Sequence, residues 1–201
     1  MTFTTPAGLV PVEVERHHSP ALMWLEPPLP TCRLFEGDAV PILDALGLAR
    51  ADLGGWARPA TTPDGDLLLP VRDLGTPRAL DPDMRRLAGL RTAQQARGVC
   101  VVSRETVEPC SRSHCRFFAP HYGLPEDIVT GSVHSALAVW LLDTGLFETA
   151  DGRLAFTAEP GDGLGRLGRL QVELTIAGGH ASRVRVGGQA VTVLSGRLLR
   201  P

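Results

Sequence analysis

The residues best suited to chemistry are two adjacent acids, a small polar turn and the apolar run that follows them. Glu126 and Asp127 stand shortly before Thr130, Gly131 and Ser132. The run is typical of a buried helix, whose first amides carry partial positive charge and need acceptors. A ligand carboxylate would satisfy them, Gly131 would let it approach the backbone, and Asp127 can hold an amine or move a proton. In a simpler interpretation, Asp127, Thr130 or Ser132 only caps the helix.

The elements that would position this turn are predicted from periodicity and from turn and cap residues. The expected order is a β-hairpin over residues 9–26, a short helix over 39–46 capped by Asp38, a strand over 66–72, a helix from Asp81 to about Gln95, and strands over 99–103 and 114–118. The apolar helix itself should cover residues 132–143 and end at Gly145.

The C-terminal quarter shows the clearest strand pattern. Residues 170–176 alternate between apolar and polar types, which predicts a half-buried strand. The glycine pair at 178–179 should turn the chain, and residues 184–193 should return, with a bulge or bend at the glycine pair 187–188. Strands therefore flank one buried helix, and helices do not alternate strictly with strands, which favours an α+β fold.

Composition excludes several classes of function. The 201 residues suffice for one domain or two small ones, and a net charge of -2 provides no basic field for nucleic acid. No apolar run approaches the roughly 20 residues of a membrane span, and the N-terminus lacks the pattern of a secretory signal, so we expect a cytoplasmic protein without a membrane partner. The chain has no lysine, which excludes a protein-supplied Schiff base and hence pyridoxal phosphate chemistry.

Four residues could in principle gather around zinc, namely Cys110, His114, Cys115 and His121. The spacing between the two cysteines is loose for a structural zinc site. His114 and Cys115 are adjacent, so their side chains would diverge on a strand. We therefore expect buried or free thiols and no metal.

A glycine-rich stretch, GLGRLG at residues 163–168, formally matches the dinucleotide-binding fingerprint. That fingerprint requires a strand before it and a helix after it, so that the pyrophosphate lies at the helix N-terminus. An alternating strand pattern follows here instead. The stretch therefore predicts a tight entry into a strand, and no cofactor is expected.

The segment from residue 116 to 141, RFFAPHYGLPEDIVTGSVHSALAVWL, resembles the signature of the PhzF-type phenazine-biosynthesis isomerase family. The family pattern is close to R-x-F-A-P, then E-D-P-V-T-G-S-A-H, then a small apolar helix, and Ile128 stands here where proline is usual. GRLGRLQVEL at 165–174 and VRVGGQAVTVLSGRL at 184–198 resemble the C-terminal strands of the family. FTTPAGLVPVEV, near the N-terminus, resembles the strand that follows the helix of its first domain.

The resemblance implies a diaminopimelate-epimerase-like fold, with two lobes that each wrap strands around one buried helix. Residues 1–30 would then be remnant strands of the first lobe, and residues 31–201 the second lobe. The implied chemistry is cofactor-free proton transfer on a small carboxylate or amino-acid-like metabolite. By the motif match, Asp127 is the expected catalytic residue. Substrate-binding residues would be Thr130, Gly131 and Ser132.

The first lobe of the family supplies a G-N-P motif, a catalytic glutamate and a G-H-P-T motif, and no residue of this chain matches them. Glu13, Glu15 and Glu26 are not at matching positions. We expect an isomerase whose missing half is a separate N-terminal polypeptide or an upstream segment. The alternatives are a non-catalytic remnant that binds a small acid or a partner, and an unrelated α+β binding protein. The hairpin over residues 9–26 would lack its helix, so a homo-oligomer is expected.

Overall fold

A mixed sheet and a few helices make up the computed structural model of the chain, which describes residues 1–5, 8–94, 96–147, 150–161, 163, 165 and 168–197. Its strands are β1 (Thr2–Thr5), β2 (Gly8–Glu15), β3 (Leu22–Leu25), β4 (Arg33–Leu34), β5 (Ala60–Thr61), β6 (Leu67–Pro70), β7 (Val99–Ser103), β8 (Ser111–Ala119), β9 (Leu124–Asp127), β10 (Gly152–Pro160), β11 (Leu170–Ala177) and β12 (His180–Gln189). Its helices are α1 (Val40–Leu46), α2 (Gly75–Arg78), α3 (Met84–Gln94) and α4 (Gly131–Asp143), with 3-10 turns at Arg50–Asp52 and Pro120–Tyr122.

All twelve of these strands form one sheet in the order β1-β2-β3-β12-β11-β10-β8-β7-β6-β5-β4, with β9 paired to β8. The β6–β7 and β8–β10 pairs are parallel, and the other pairs are antiparallel. The predicted hairpin is present, because β2 and β3 pair antiparallel, and β3 also pairs with β12. The α+β class predicted from the sequence is confirmed.

Two apolar cores lie on opposite faces of the sheet. Leu68 of β6 and Phe117 of β8 pack in the core around α4. Their chain neighbours Leu69 and Phe118 pack in a second core with α1 and α3. Successive side chains of a strand point to opposite faces, so β6 and β7, which are buried on both sides, are almost wholly apolar instead of alternating.

Helix α4 is the buried helix that its all-round apolar pattern predicts. Residues 133–142 are all buried, and Leu137 is only 1% exposed. Side chains from strands β5 to β8 and β10 to β12 contribute to the core in which it packs. The helix ends as expected before Gly145, which adopts a left-handed φ of 75° that favours glycine.

Two of the sequence predictions are corrected, namely the start of one helix and the position of a bulge. The helix predicted from Asp81 begins at Met84, because the Asp83 carboxylate accepts the amide of Arg86 at 2.9 Å and caps the first turn there. Its predicted end at Gln95 lies outside the described residues. By contrast, the shorter helix α1 receives the predicted cap from Asp38, whose carboxylate accepts the Val40 amide at 3.0 Å.

The predicted bulge at the glycine pair 187–188 is wrong. Both glycines stay in register with β3, where Gly187 opposes Trp24, and the register shift of β12 against β11 occurs between Thr175 and Ile176. A Cβ at Gly187 would lie 2.7 Å from the Trp24 ring. The glycine is therefore required by close packing of an indole on the strand.

Among the described residues, no helix combines the length and apolarity that a membrane crossing requires.

Candidate functional site

Strand β9 and helix α4 position the turn that the sequence singled out. Asp127 ends β9 and lies opposite Phe117 of β8, and residues 128–130 then lead into the helix. The four predicted site residues, Asp127, Thr130, Gly131 and Ser132, thus follow one another from a strand end into the first turn of a buried helix.

The two adjacent acids have different roles because neighbouring side chains on a strand point in opposite directions. Glu126 forms a bidentate ion pair with Arg116, at 2.8 and 2.9 Å, and both side chains are buried. The same guanidinium donates to the carbonyls of Pro77 and Leu80 at 3.0 and 2.8 Å. Glu126 therefore has a structural role, whereas Asp127 points away from this ion pair.

Asp127 is held by the turn that follows it. Its Oδ2 accepts the hydroxyl of Thr130 at 2.5 Å, and the Asp127 side chain is half-buried. Thr130 precedes the helix, yet its side chain makes no capping hydrogen bond to the first turn. The hydroxyl that the capping interpretation assigned to the helix therefore orients a carboxylate instead.

The first two helical residues are accessible. Ser132 is exposed, and its carbonyl accepts the hydroxyl of Ser135 at 2.7 Å. A Cβ added at Gly131 would meet only Cγ2 of Val186, at 3.7 Å, which is ordinary contact. Packing within the chain therefore does not require glycine at this position.

A buried histidine that the sequence analysis missed, His134, contacts the backbone of this turn. The Nδ1 atom of His134 lies 2.7 Å from the Thr130 carbonyl, which as an acceptor requires the proton on Nδ1. Its Nε2 atom lies 3.4 Å from the Cys115 sulfur, and both residues are 1% exposed. The signal in the sequence was a lone histidine in an apolar helix, four residues after Thr130, at the spacing that places side chains over the preceding turn.

Contacts among buried groups shift the pKa values of this cluster. Burial opposes the charged imidazolium, but the neighbouring Cys115 and the Thr130 carbonyl raise the pKa of His134. A hydrogen bond from Cys100, opposed by burial and helped by His134, lowers the pKa of Cys115. The same contact with Cys115, together with burial, raises the pKa of Cys100.

The four residues considered for zinc do not converge in the described part of the chain. Cys110 is exposed, Cys115 faces His134, and His114 lies on the other face of β8 with its Nδ1 atom 3.2 Å from Glu159. The divergence of adjacent side chains on a strand separates His114 from Cys115, as the sequence analysis predicted.

The glycine-rich stretch leads into a strand, as predicted, because β11 begins at Leu170. Of residues 163–168, only Gly163, Gly165 and Gly168 are described. A Cβ at Gly163 would collide with the guanidinium of Arg116. This glycine therefore lets the chain pass close to the buried Arg116–Glu126 pair.

Two cavities of interest lie elsewhere in the molecule. One of about 970 Å³ is lined by residues between Leu29 and Gly37 and between Thr61 and Gly65. Another, of about 280 Å³, lies at the C-terminal end of α4 beside Trp56 and Trp140. The turn at Asp127 is thus an accessible helix end that lies outside these cavities.

A sheet that packs around one buried helix, with an acid and an accessible helix end beside it, defines an α+β protein with a candidate small-molecule site. The model of one family, described as phenazine biosynthesis-like protein (PhzC-PhzF), matches residues 1–196. The chain therefore belongs to this family, as its sequence resemblance predicted.

Similar proteins include the uncharacterized isomerase YfhB of Bacillus subtilis, which is 28% identical over 93% of this chain and 63% of its own length. An uncharacterized isomerase of Deinococcus radiodurans is 33% identical over 75% of this chain and 45% of its own length. The chain thus spans less than two thirds of these relatives.

Among solved structures, the PhzF-family phenazine biosynthesis protein of Bacillus anthracis superposes with a TM-score of 0.81 at 21% identity, over 99% of this chain and 68% of that one. This similarity shows that the two proteins share a fold.

Proposed function

We propose that the chain is part of a cofactor-independent isomerase that moves a proton on a small carboxylate or amino-acid-like metabolite. Membership of the family and the description of relatives such as YfhB as isomerases support the class of reaction. The main observation that supports a ligand site at this turn is that the Thr130 hydroxyl donates to Asp127 and does not cap α4.

Each residue of the turn has a role in this proposal. The amides of Gly131 and Ser132 at the start of α4 bind a substrate carboxylate, because the helix end carries partial positive charge. Thr130 holds Oδ2 of Asp127, so that Oδ1 is directed to an amine or a transferable proton of the same substrate. Such a site prefers a molecule that carries both an acid and an amine.

The acid/base that completes the proton transfer comes, in this proposal, from a first lobe supplied by a separate N-terminal polypeptide or an upstream segment. The glutamates of the hairpin are engaged locally. Glu13 pairs with Arg185, Glu26 pairs with Arg183, and Glu15 accepts the indole N–H of Trp24. These contacts favour an acid/base from outside the chain.

The proposed division into lobes assigns residues 1–30 to strands of the first lobe and residues 31–201 to the second, diaminopimelate-epimerase-like lobe. Apolar side chains on the hairpin side are exposed, with Phe3 at 53% and Leu9 at 65%. Such a surface needs cover, by the first lobe or by a second copy in a homo-oligomer. Light scattering of the purified chain distinguishes a dimer from a monomer and thereby tests the second arrangement.

The catalytic proposal is tested by binding and by solvent deuterium exchange. We expect titration calorimetry to detect binding of 3-hydroxyanthranilate, which carries an acid and an amine, and Asp127→Asn to weaken it. We expect the isolated chain to incorporate no deuterium into dihydro-hydroxyanthranilate. Exchange by the isolated chain that is lost in Asp127→Asn would contradict the need for a second half, and absence of any small-acid binding would contradict the site.

A non-catalytic small-acid binding protein is the second candidate, favoured by the presence of the helix-end site without a matching glutamate. The two candidates differ once the chain is supplied with a first lobe. Fusion of the G-N-P and G-H-P-T region of a family member should restore Asp127-dependent exchange if the chain is half of an enzyme. Binding that persists without exchange in a well-folded fusion would favour the binding protein.

A further inference from the structure

Three potential metal ligands meet at the turn between β2 and β3, on a part of the molecule that the proposed isomerase site does not use. Glu15, His17 and His18 each offer one ligand atom, and these atoms all lie within 4.8 Å of one another. The Nε2 atoms of His17 and His18 are 3.8 and 3.5 Å from Oε2 of Glu15. Within the described ranges, no other group of three such ligands is found.

The local backbone explains why adjacent histidines point the same way. On a strand their side chains would diverge, but β2 ends at Glu15 and the chain turns at residues 16 and 17. The two imidazole rings consequently lie on one side, with centroids 4.2 Å apart and planes at 42°.

The carboxylate of Glu15 is oriented by a partner behind it. Its Oε1 accepts the indole N–H of Trp24 at 3.0 Å, which leaves Oε2 directed to the imidazoles. Trp24 itself is buried, on the neighbouring strand β3. A hydrogen bond to the outer oxygen of a ligating carboxylate is the arrangement that orients ligands in metal sites.

The separations suit a small tetrahedral ion. Zinc lies about 2.0–2.2 Å from histidine nitrogen and carboxylate oxygen, so tetrahedral ligand atoms are roughly 3.4 Å apart. The distance from His18 to Glu15 already has this value within about 0.1 Å, and the distance from exposed His17 to Glu15 exceeds it by about 0.4 Å. The ligand atoms of the two histidines lie within 4.8 Å of each other, so a rotation of the exposed His17 side chain closes the site. Two imidazoles and one carboxylate form a donor set that zinc accepts with its remaining position open.

We propose that Glu15, His17 and His18 form a binding site for one divalent transition-metal ion of the zinc type. The ion joins the end of β2 to the turn and stabilises the hairpin by binding the folded state only. The competing explanation is a pair of surface contacts between the histidines and the glutamate, which needs no ion. The two explanations differ in whether a saturable metal equivalent exists and in whether it depends on these three side chains.

The test uses the full chain without a histidine tag, in a Cys110→Ser background, because the exposed thiol of Cys110 is another ligand for soft metals. Calorimetry with zinc chloride should give one ion per chain, and the cobalt-substituted protein should show the absorption of a tetrahedral site. We expect His18→Gln and Glu15→Gln each to weaken zinc binding at least about tenfold, since each removes a ligand or its charge. Magnesium should not bind, because it prefers an octahedron of oxygen ligands.

The matched control is His180→Gln, which removes an exposed histidine at the start of β12 and should leave zinc affinity unchanged. Circular dichroism of each variant verifies folding, and Glu15→Gln retains an acceptor for Trp24. Equal affinity of the His17→Gln/His18→Gln double variant and its parent would overturn the proposal. Lack of saturable zinc binding by the parent would do the same.

Discussion

The two ends of helix α4 satisfy their backbone groups in different ways. At the C-terminal end, the amides of Thr144 and Gly145 each donate to a carbonyl of the last turn at 3.0 Å. The Thr144 hydroxyl adds a third bond, to the Leu141 carbonyl at 2.8 Å. At the N-terminal end, Thr130 makes no capping bond, and Ser132 is exposed.

We propose that this difference separates the part of the helix that serves the fold from the part that serves a ligand. A helix end that stability alone had shaped would use its own threonine as a cap, because such a cap contributes about 1 kcal/mol. Here the hydroxyl of Thr130 is directed to Asp127 instead. Four substitutions test this comparison, and their expected effects on the free energy of unfolding range from several kcal/mol to almost none.

The largest effect on the free energy of unfolding is expected from Arg116→Met, which removes the buried guanidinium that holds Glu126 beside the N-terminal end of α4. It leaves the Glu126 carboxylate buried without its partner and two carbonyls without their donor, so we expect a loss of about 3–5 kcal/mol. Urea denaturation followed by circular dichroism measures the loss. Adding Glu126→Met to this variant should recover part of the stability, because an apolar pair replaces a lone charge. Equal stability of the single and double variants would contradict the role of the pair.

A smaller effect on the free energy of unfolding is expected at the C-terminal end of α4, which we call the closed end because its last amides are bonded within the chain. Gly145→Ala places a side chain at a φ of 75°, where L-residues are strained, and should lower the free energy of unfolding by about 1–2 kcal/mol. Thermal denaturation measures it. Binding of 3-hydroxyanthranilate at the other end should not change, and a parallel loss of binding would show that the two ends are not independent.

Much of this helix could be predicted from the sequence, and the reason is local. The run after Ser132 is apolar on every face, which indicates burial whatever the neighbours are. The glycine after its last turn indicates the stop. The hairpin over residues 9–26 is equally local, because its two strands pair with each other across a short loop of residues 16–21.

Features that depend on distant pairing could not be predicted in this way. Strand β10 lies parallel to β8, and no local pattern marks a pairing between segments so far apart. Which of the two acids, Glu126 or Asp127, pairs with Arg116 depends on the face of β9 that meets Arg116. That face is known only when β8 and β9 are paired. The contact of His134 with Cys115 depends likewise on a helix packing on a strand.

The third substitution, Thr130→Val, removes the bond that fixes Asp127 while keeping the shape of the side chain. We expect a loss of about 1 kcal/mol in the free energy of unfolding, the usual value for one hydrogen bond. Affinity for 3-hydroxyanthranilate should fall as well, because the carboxylate loses its orientation. Thr144→Val, which removes a hydroxyl bond at the closed end, is the matched control and should leave affinity unchanged. If both variants bind alike, Thr130 has no positioning role.

The smallest effect on stability is expected at Gly131, at the N-terminal or open end of α4. At this position the ligand-binding explanation and the capping explanation differ most. An added Cβ meets only Val186, at 3.7 Å, and alanine is a better helix residue than glycine. Gly131→Ala should therefore change the free energy of unfolding by no more than about 0.5 kcal/mol. If a carboxylate approaches the amides of Gly131 and Ser132, the new methyl group obstructs it, and affinity for 3-hydroxyanthranilate should fall at least about tenfold, or 1.4 kcal/mol. Gly89→Ala, at an unobstructed position of helix α3, controls for the change in helix propensity and should leave affinity unchanged. A Gly131→Ala protein of normal stability and normal affinity would show that the glycine does not serve a ligand, and the open end of α4 would then need a different explanation.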